Sequence, residues 1–305
     1  MWLILAFTSA ALLGFYDVFK KMSLKDNPVI PVLFLNTLFS SLIFLPFILC
    51  SAYGENLDDT IFHVASGGWE CHRWIVLKSF IVLSSWICGY MAMKHLPITI
   101  VGPINATRPV MVLVGALLVF GERLNGYQWI GVSLAICSFF LMSISGKKEG
   151  IDFRHNRWIV CLILAAVLGA VSGLYDKFLM APVGKGGVGL DKMMVQCWYN
   201  IYQCFLMGAM MLLLWYPKRK QTTPFRWHWA IPCISIFICC ADFAYFFSLS
   251  HADAMISVVS MVRRGSVLVS FCFGALMFRE KNLKAKAFDL FLVLLGMVFL
   301  YIGSN

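Results

Sequence analysis

The sequence has 305 residues, of which 60% are apolar and only 13% are charged. Soluble domains are about 45–50% apolar and about 25% charged. The composition therefore excludes a soluble enzyme, a disordered chain and a nucleic-acid-binding protein, in spite of a formal net charge of +10. It is typical of a protein that crosses a membrane many times.

Apolar runs follow one another along the whole chain. A membrane-crossing helix needs about 20 residues, and the runs between charges predict ten such helices. The predicted segments are residues 2–22, 28–50, 73–94, 97–120, 125–145, 157–179, 190–216, 228–249, 254–278 and 285–303. The runs are too continuously apolar for the alternating strands of a membrane barrel. We therefore expect an all-α, multi-pass protein of the cytoplasmic (inner) membrane.

Basic residues are distributed unevenly between the connections. The odd-numbered connections and their flanks hold sixteen Lys and Arg, whereas the even-numbered ones hold four. Because loops rich in Lys and Arg stay in the cytoplasm, the odd connections are predicted to be cytoplasmic. Both termini and the acidic loop 51–72 would then lie outside.

Three features occur twice in the same order, which predicts an internal duplication. The first is G-F-Y-D-V-F at 14–19 and G-L-Y-D-K-F at 173–178. The second is a histidine followed thirteen residues later by an arginine, at His95 and Arg108 and again at His251 and Arg264. The third is a predicted helix end at Glu122 and at Glu280. We therefore expect two five-helix repeats, residues 1–150 and 151–305. Five is an odd number, so the repeats are inverted in the membrane, as in many secondary transporters.

Two short motifs in the first half resemble a known family. Residues 91–99 read M-A-M-K-H-L-P-I-T, and residues 121–124 read G-E-R-L after Pro103. They resemble the EamA-type signature of the drug/metabolite transporter superfamily. The resemblance implies ten helices in two inverted repeats, a central cavity, and alternating access without ATP hydrolysis. The second half departs from it, with S-H-A-D at 250–253 and Arg279 in place of Gly121. Many relatives also have cytoplasmic termini, opposite to the charge distribution here.

Charged residues inside membrane helices are costly and therefore indicate function. The predicted set contains five bases and three acids: Asp17, Lys78, Arg108, Asp176, Lys177, Asp242, Arg263 and Arg264. The positive excess favours an anion, and a guanidinium group binds carboxylate and phosphate well. Buried ion pairs that only neutralise one another are the alternative.

The predicted substrate-binding residues are centred on two arginines. Arg108 precedes Pro109, and Arg263-Arg264-Gly265 lie at the related place in the second half. Interrupted helices at matching positions of two repeats indicate a midplane site. The full predicted set is Arg108, Arg264, Arg263, Asn105, Asn36, Gln196, Asn200, Trp86 and Lys78. For the arginines, the alternative is pairing with Asp17 and Asp176. Gln196 and Asn200 lie on one face of the seventh predicted helix, and for them the alternative is hydrogen bonding between helices.

Three carboxylates are predicted to couple transport to protons or charge: Asp17, Asp176 and Asp242. A carboxylate that gains and loses a proton during the cycle would link transport to the proton gradient. The alternative is that Asp17 and Asp176 bind Lys20 and Lys177 near the ends of their helices.

The function predicted from the sequence is secondary transport of a small polar or anionic metabolite. A flippase for lipid or another amphiphile is the alternative, followed by an intramembrane enzyme. No hydrolase, P-loop or dinucleotide motif occurs in the sequence, so we expect no enzyme activity, no cofactor and no bound metal. The expected partners are a small-molecule substrate and the lipid bilayer, without nucleic acid. The G-x-x-x-G at Gly169 and Gly173 lets two helices approach closely, either within one chain or between the protomers of a homodimer.

Overall fold

A computed structural model describes residues 2–53, 60–108, 110–111, 125–147, 155–180, 183–249, 262–277 and 283–304. The helices in these ranges are α1 (Trp2–Leu24), α2 (Val29–Tyr53), α3 (Trp69–His95), α4 (Ile98–Ala106), α5 (Gly126–Lys147), α6 (Arg157–Met180), α7 (Lys192–Met210), α8 (Ala230–Leu249), α9 (Ser266–Leu276) and α10 (Leu283–Ser304). Pro109 and residues 121–124, 250–253 and 278–281, which carry motifs named above, lie outside the described residues.

The described residues confirm an all-helical protein, since they contain no strand. Six of their helical segments are long and apolar enough to cross a membrane. They are Val29–Tyr53, Trp69–His95, Arg157–Met180, Lys192–Lys218, Ala230–Ser248 and Lys286–Gly303. The described part of α9 is shorter than the predicted segment 254–278. The chain is therefore a multi-pass membrane protein.

Helices from the first half pack against helices from the second half. The main pairs are α1 with α8, α5 with α10, α3 with α6 and α2 with α7, followed by α1 with α9, α2 with α8, α4 with α9 and α3 with α7. Apart from α1 with α9, whose counterpart α4 with α6 is a smaller contact, this set is unchanged when each helix is replaced by the one five places away in the chain. Two equivalent halves would produce such a pattern, so the pairing supports the predicted duplication at 150/151, which stays a prediction.

Small residues bring helices close together around the centre of the bundle. A Cβ added to Gly14 of α1 would lie 2.4 Å from the Cβ of Val269 in α9, and one added to Gly102 of α4 would lie 2.6 Å from Cγ2 of Val267. Only a glycine allows so close an approach. The two glycines therefore hold α9 against α1 and α4.

Regular helix is interrupted beside both predicted arginines. Helix α4 ends at Ala106, with Thr107 as its C-cap, and Arg108 follows. Helix α9 begins at Ser266 after Gly265, and Arg264 precedes Gly265. The interruptions are mild, because Thr107 and Gly265 both keep right-handed helical dihedral angles.

Candidate functional site

A cavity of about 190 Å³ lies in the centre of the bundle. Helices α1, α3, α4, α6 and α8 line it, together with the segment that begins at Arg263 and with Tyr199 of α7. It contains nine of the predicted site residues: Asp17, Lys78, Trp86, Asn105, Arg108, Asp176, Asp242, Arg263 and Arg264. The fold thus brings together residues that lie as far as 247 positions apart in the sequence, from Asp17 to Arg264.

Each of the three cavity carboxylates binds a basic side chain. The Nζ of Lys20 donates to Oδ1 of Asp17 over 2.7 Å, one turn away in α1. Lys78 of α3 forms an ion pair with Asp176 of α6, a partner that the sequence did not suggest. Both lysines are buried, and in each case an acid offsets the cost of burying the ammonium group.

The third carboxylate, Asp242 of α8, has two partners. Arg263 forms an ion pair with Oδ1, and the hydroxyl of Tyr199 donates to Oδ2 over 3.0 Å. The guanidinium of Arg263 also lies over the ring of Tyr245, 4.3 Å from its centroid. These contacts hold Arg263 in a fixed position at the wall of the cavity.

Two arginines in the cavity have no carboxylate partner among the described residues. Nη2 of Arg108 donates to Oδ1 of Asn105 over 3.0 Å, while its Nε is buried without a hydrogen-bond partner. Arg264 lines the cavity and makes neither an ion pair nor a hydrogen bond within the described part of the chain. With Lys20, Lys78 and Arg263 balanced by three acids, these two groups leave a formal excess of two positive charges.

The position of Arg108 depends on a glycine of the facing helix. A Cβ added to Gly169 of α6 would lie 2.7 Å from both Cζ and Nη1 of Arg108. The two glycines, Gly169 and Gly173, do not form a close helix–helix contact within the described part of the chain, and their use between the protomers of a homodimer stays a prediction. Gly169 makes room for a guanidinium group, and a Cβ on Gly173 would have no neighbour within 4 Å.

Aromatic rings surround the charged groups. Nζ of Lys20 lies 4.4 Å from the ring centroid of Tyr16 and 5.2 Å from that of Tyr90, and Nζ of Lys78 lies 5.0 Å from that of Tyr199. A ring face attracts a cation without neutralising it. The rings thus help to hold the two lysines, and Trp86 adds a flat apolar surface to the wall.

The other three predicted substrate-binding residues do not line this cavity. Asn36, Gln196 and Asn200 are buried where α2, α7 and α8 meet. Oδ1 of Asn36 accepts from Ser235 over 3.1 Å, and Nδ2 of Asn200 donates to the carbonyl of Gln196 over 2.8 Å. The amide of Gln196 has no hydrogen-bond partner in the described structure.

Among the lining residues outside the predicted set, Lys20, Tyr199, Tyr245 and Gly169 lie against its charged groups. The position of Tyr199 in the sequence does not show that its hydroxyl group binds Asp242 of another helix. Lys20 was considered as a partner of Asp17, one helical turn away, and the contact at 2.7 Å confirms that local pairing. No sequence signal connects Gly169 with Arg108.

A multi-pass helical bundle with a charged central cavity is typical of a membrane transporter, and known proteins with similar sequences belong to that class. The EamA-like transporter family matches residues 1–144, which include Asp17, Lys78 and Arg108. This first half of the chain is similar to EamA-type transporters of the drug/metabolite transporter superfamily, as the motifs predicted. The similarity points to a transporter rather than an enzyme.

Two further similarities agree with this. An uncharacterized transporter of Pseudomonas aeruginosa is 34% identical over 71 residues, which cover 22% of this chain and 24% of that protein. One solved crystal structure superposes with a TM-score of 0.63 at 13% identity, over 99% of this chain and 96% of that one. At this identity the second similarity shows a shared fold alone.

Proposed function

We propose that the protein is a secondary transporter of a small anionic metabolite in the cytoplasmic membrane. One observation carries the proposal: five basic side chains and three carboxylates line the central cavity, and Arg108 and Arg264 have no carboxylate partner among the described residues. Unpaired charge inside a membrane is costly. An anionic substrate between the two arginines would offset that cost.

The chemistry of the arginines favours a carboxylate or a phosphate group. A guanidinium presents several donors in a plane, which match two oxygens of such an anion. Arg108 has donors left beyond its bond to Asn105, including the buried Nε. The cavity volume of about 190 Å³ is below the range of about 300–1,000 Å³ that is usual for drug-sized ligands. We therefore expect a metabolite smaller than a typical drug.

During alternating access, α4 and α9 would bend at the interruptions that lie beside the two arginines. Thr107 and Gly265 separate the arginines from regular helix in α4 and α9, and discontinuous helices at matching positions of two repeats are typical of transporter substrate sites. In this proposal the two halves rock about the anion, and transport is coupled to protons or proceeds by exchange. Asp17, Asp176 and Asp242 are the candidate coupling groups, and their lysine and arginine partners would compete with a proton.

Binding of anions to purified protein tests this proposal. The melting temperature would be measured against carboxylates, phosphate esters, neutral metabolites and cationic metabolites, for the wild type and for Arg108→Gln and Arg264→Gln. A ligand at a hundred times its Kd adds about 2.7 kcal/mol of stability. We expect anions to stabilise the wild type and to lose most of that effect in both variants. Stabilisation by neutral or cationic compounds alone, or equal stabilisation of the variants by anions, would refute the anion site.

A further inference from the structure

We propose that a groove on the outside of α3 and α7, together with the basic segment that follows α7, binds one anionic phospholipid of the surrounding membrane. The groove has a volume of about 320 Å³ and is lined by Phe80, Leu83 and Ile87 of α3, by Leu206, Ala209 and Met210 of α7, and by Leu214 in the turn that follows α7. This site lies outside the central cavity. It does not depend on the substrate of the transporter.

The groove has the shape and chemistry for an acyl chain. Apart from Ser84, its lining side chains are apolar, and Leu213 at its rim is 73% exposed. Acyl chains are as apolar as leucine, so burial of a chain in the groove adds packing but little hydrophobic driving force. The groove therefore selects an acyl chain by shape, and affinity for one kind of lipid has to come from its headgroup.

A change of helix type brings basic residues next to the groove. Regular α-helix ends at Met210, a π-helical turn runs over Met211–Trp215, and a 3₁₀ turn follows over Tyr216–Lys218. Leu214, which lines the groove, is only four residues before Lys218. Four helical residues of any type extend for less than about 8 Å along the axis, which is a suitable spacing between an acyl chain and its phosphate.

The segment after α7 carries uncompensated positive charge. Lys218, Arg219, Lys220 and Arg226 are exposed, and residues 211–241 contain no acidic side chain. Within the described structure none of the four forms an ion pair. Lys and Arg clustered at the end of a membrane helix attract anionic headgroups. The charge and the groove thus match the two ends of one lipid molecule.

Contacts with other residues of the chain also hold this segment in place. The backbone N–H of Arg226 donates to Oδ1 of Asn27 over 2.7 Å, and the guanidinium of Arg219 lies 4.2 Å from the ring centroid of Tyr216. Trp227 and Trp229 are exposed, with ring centroids 6.2 Å apart, as in the aromatic belts of membrane interfaces. The lipid headgroup would therefore meet a preformed basic surface.

The experiment compares lipids that differ in one part at a time. The full-length protein in detergent would receive phosphatidylglycerol, phosphatidylcholine with the same acyl chains, or water-soluble glycerol phosphate. Melting temperature and lipid retained in native mass spectrometry would be recorded. We expect phosphatidylglycerol to be retained and to raise the melting temperature more than phosphatidylcholine, and glycerol phosphate to have no effect.

Two variants and one control locate the binding. The triple variant Lys218→Gln, Arg219→Gln, Lys220→Gln removes the charge, and Ala209→Trp fills the groove without changing the charge. Each is expected to abolish the difference between phosphatidylglycerol and phosphatidylcholine. The control, Lys25→Gln, Lys94→Gln, Arg157→Gln, removes three other basic residues and should keep the difference. The proposal is overturned if phosphatidylglycerol has no advantage in the wild type, if the control loses it as fully as the test variants, or if glycerol phosphate acts alone.

Discussion

The guanidinium of Arg108 occupies the space that a side chain at position 169 would fill. Cζ and Nη1 of Arg108 lie 2.7 Å from the place of a Cβ on Gly169, while Asn105 accepts a hydrogen bond from Nη2. Both contacts hold the group without neutralising it. Arg108 is therefore presented to the cavity in one position with its charge intact.

Gly169→Ala is expected to impair transport while the protein still folds. The new methyl group displaces only the end of a flexible side chain, and alanine favours a helix by about 1 kcal/mol over glycine. Misplacement of a binding group by about 1 Å can reduce a rate about 100-fold, so we expect a loss of that order in anion uptake. Gly208→Ala is the matched control, because its Cβ would lie 3.5 Å from Cε2 of Phe34, an ordinary contact. Equal uptake by the two variants would contradict the role of Gly169.

The pair of Lys78 and Asp176 lies within the helix bundle, where a single unpaired charge is costly. Asp176→Leu should lower the free energy of unfolding by about 3–5 kcal/mol, since it leaves a buried ammonium group unpaired. The double variant Lys78→Met, Asp176→Leu should regain most of this, because apolar residues can replace a buried ion pair at little cost. Thermal unfolding of the wild type, both single variants and the double variant measures the coupling. Additive losses would show that the pair is energetically unimportant.

Helix α7 carries polar residues that the cavity does not use. Gln196 and Gln203 are fully buried, and both amide groups lack hydrogen-bond partners within the described structure. Ser41 of α2, in contrast, donates to the carbonyls of Thr37 and Asn200 over 2.8 Å each. Between α2 and α7, Ser41 thus has hydrogen-bond partners, whereas the two glutamine amides have none among the described residues. Removal of the serine hydroxyl should lower the free energy of unfolding, and removal of an amide should raise it.

Gln203→Met is expected to stabilise the protein in this conformation. Burial of an amide group without hydrogen bonds costs about 1–3 kcal/mol, and the substitution removes this cost. Methionine has a volume similar to that of glutamine. Ser41→Ala, the contrasting variant, should lower the free energy of unfolding by about 0.5–1.5 kcal/mol, as is usual for a lost hydrogen bond. Melting temperatures of the two variants in one detergent provide the comparison. A Gln203→Met variant that is less stable than Ser41→Ala would show that the amide has a partner that stabilises the fold.

The helices were predictable from the sequence because each is a long apolar run, and nothing but a helix satisfies its own backbone in a membrane. The partners of individual side chains were less predictable. Membrane helices are apolar on all sides, so periodicity does not show which face is inward. Asp17 and Lys20 lie one turn apart and their contact could be anticipated, whereas Lys78 and Asp176 lie 98 positions apart and their contact could not. The π-helical turn at Met211–Trp215 also had no sequence signal.

The whole bundle is organised by contacts between its halves. Every principal helix pair joins residues before 150 with residues after 151, and most of the pairs are related by a shift of five helices. The cavity accordingly receives Asp17 and Arg108 from one half and Asp176 and Arg264 from the other. The inverted orientation of the repeats and the outward termini stay predictions.

Exchange of an anion across a membrane tests the proposed function most directly. The anion that best stabilises the wild type would be loaded unlabelled into liposomes containing the protein, and uptake of the labelled anion would be followed for the wild type and Arg264→Gln. We predict that the internal anion accelerates uptake in the wild type and that Arg264→Gln reduces the exchange at least about tenfold, which corresponds to about 1.4 kcal/mol. Exchange by Arg264→Gln at the wild-type rate, or exchange of uncharged or cationic solutes alone, would contradict transport of an anion through this cavity.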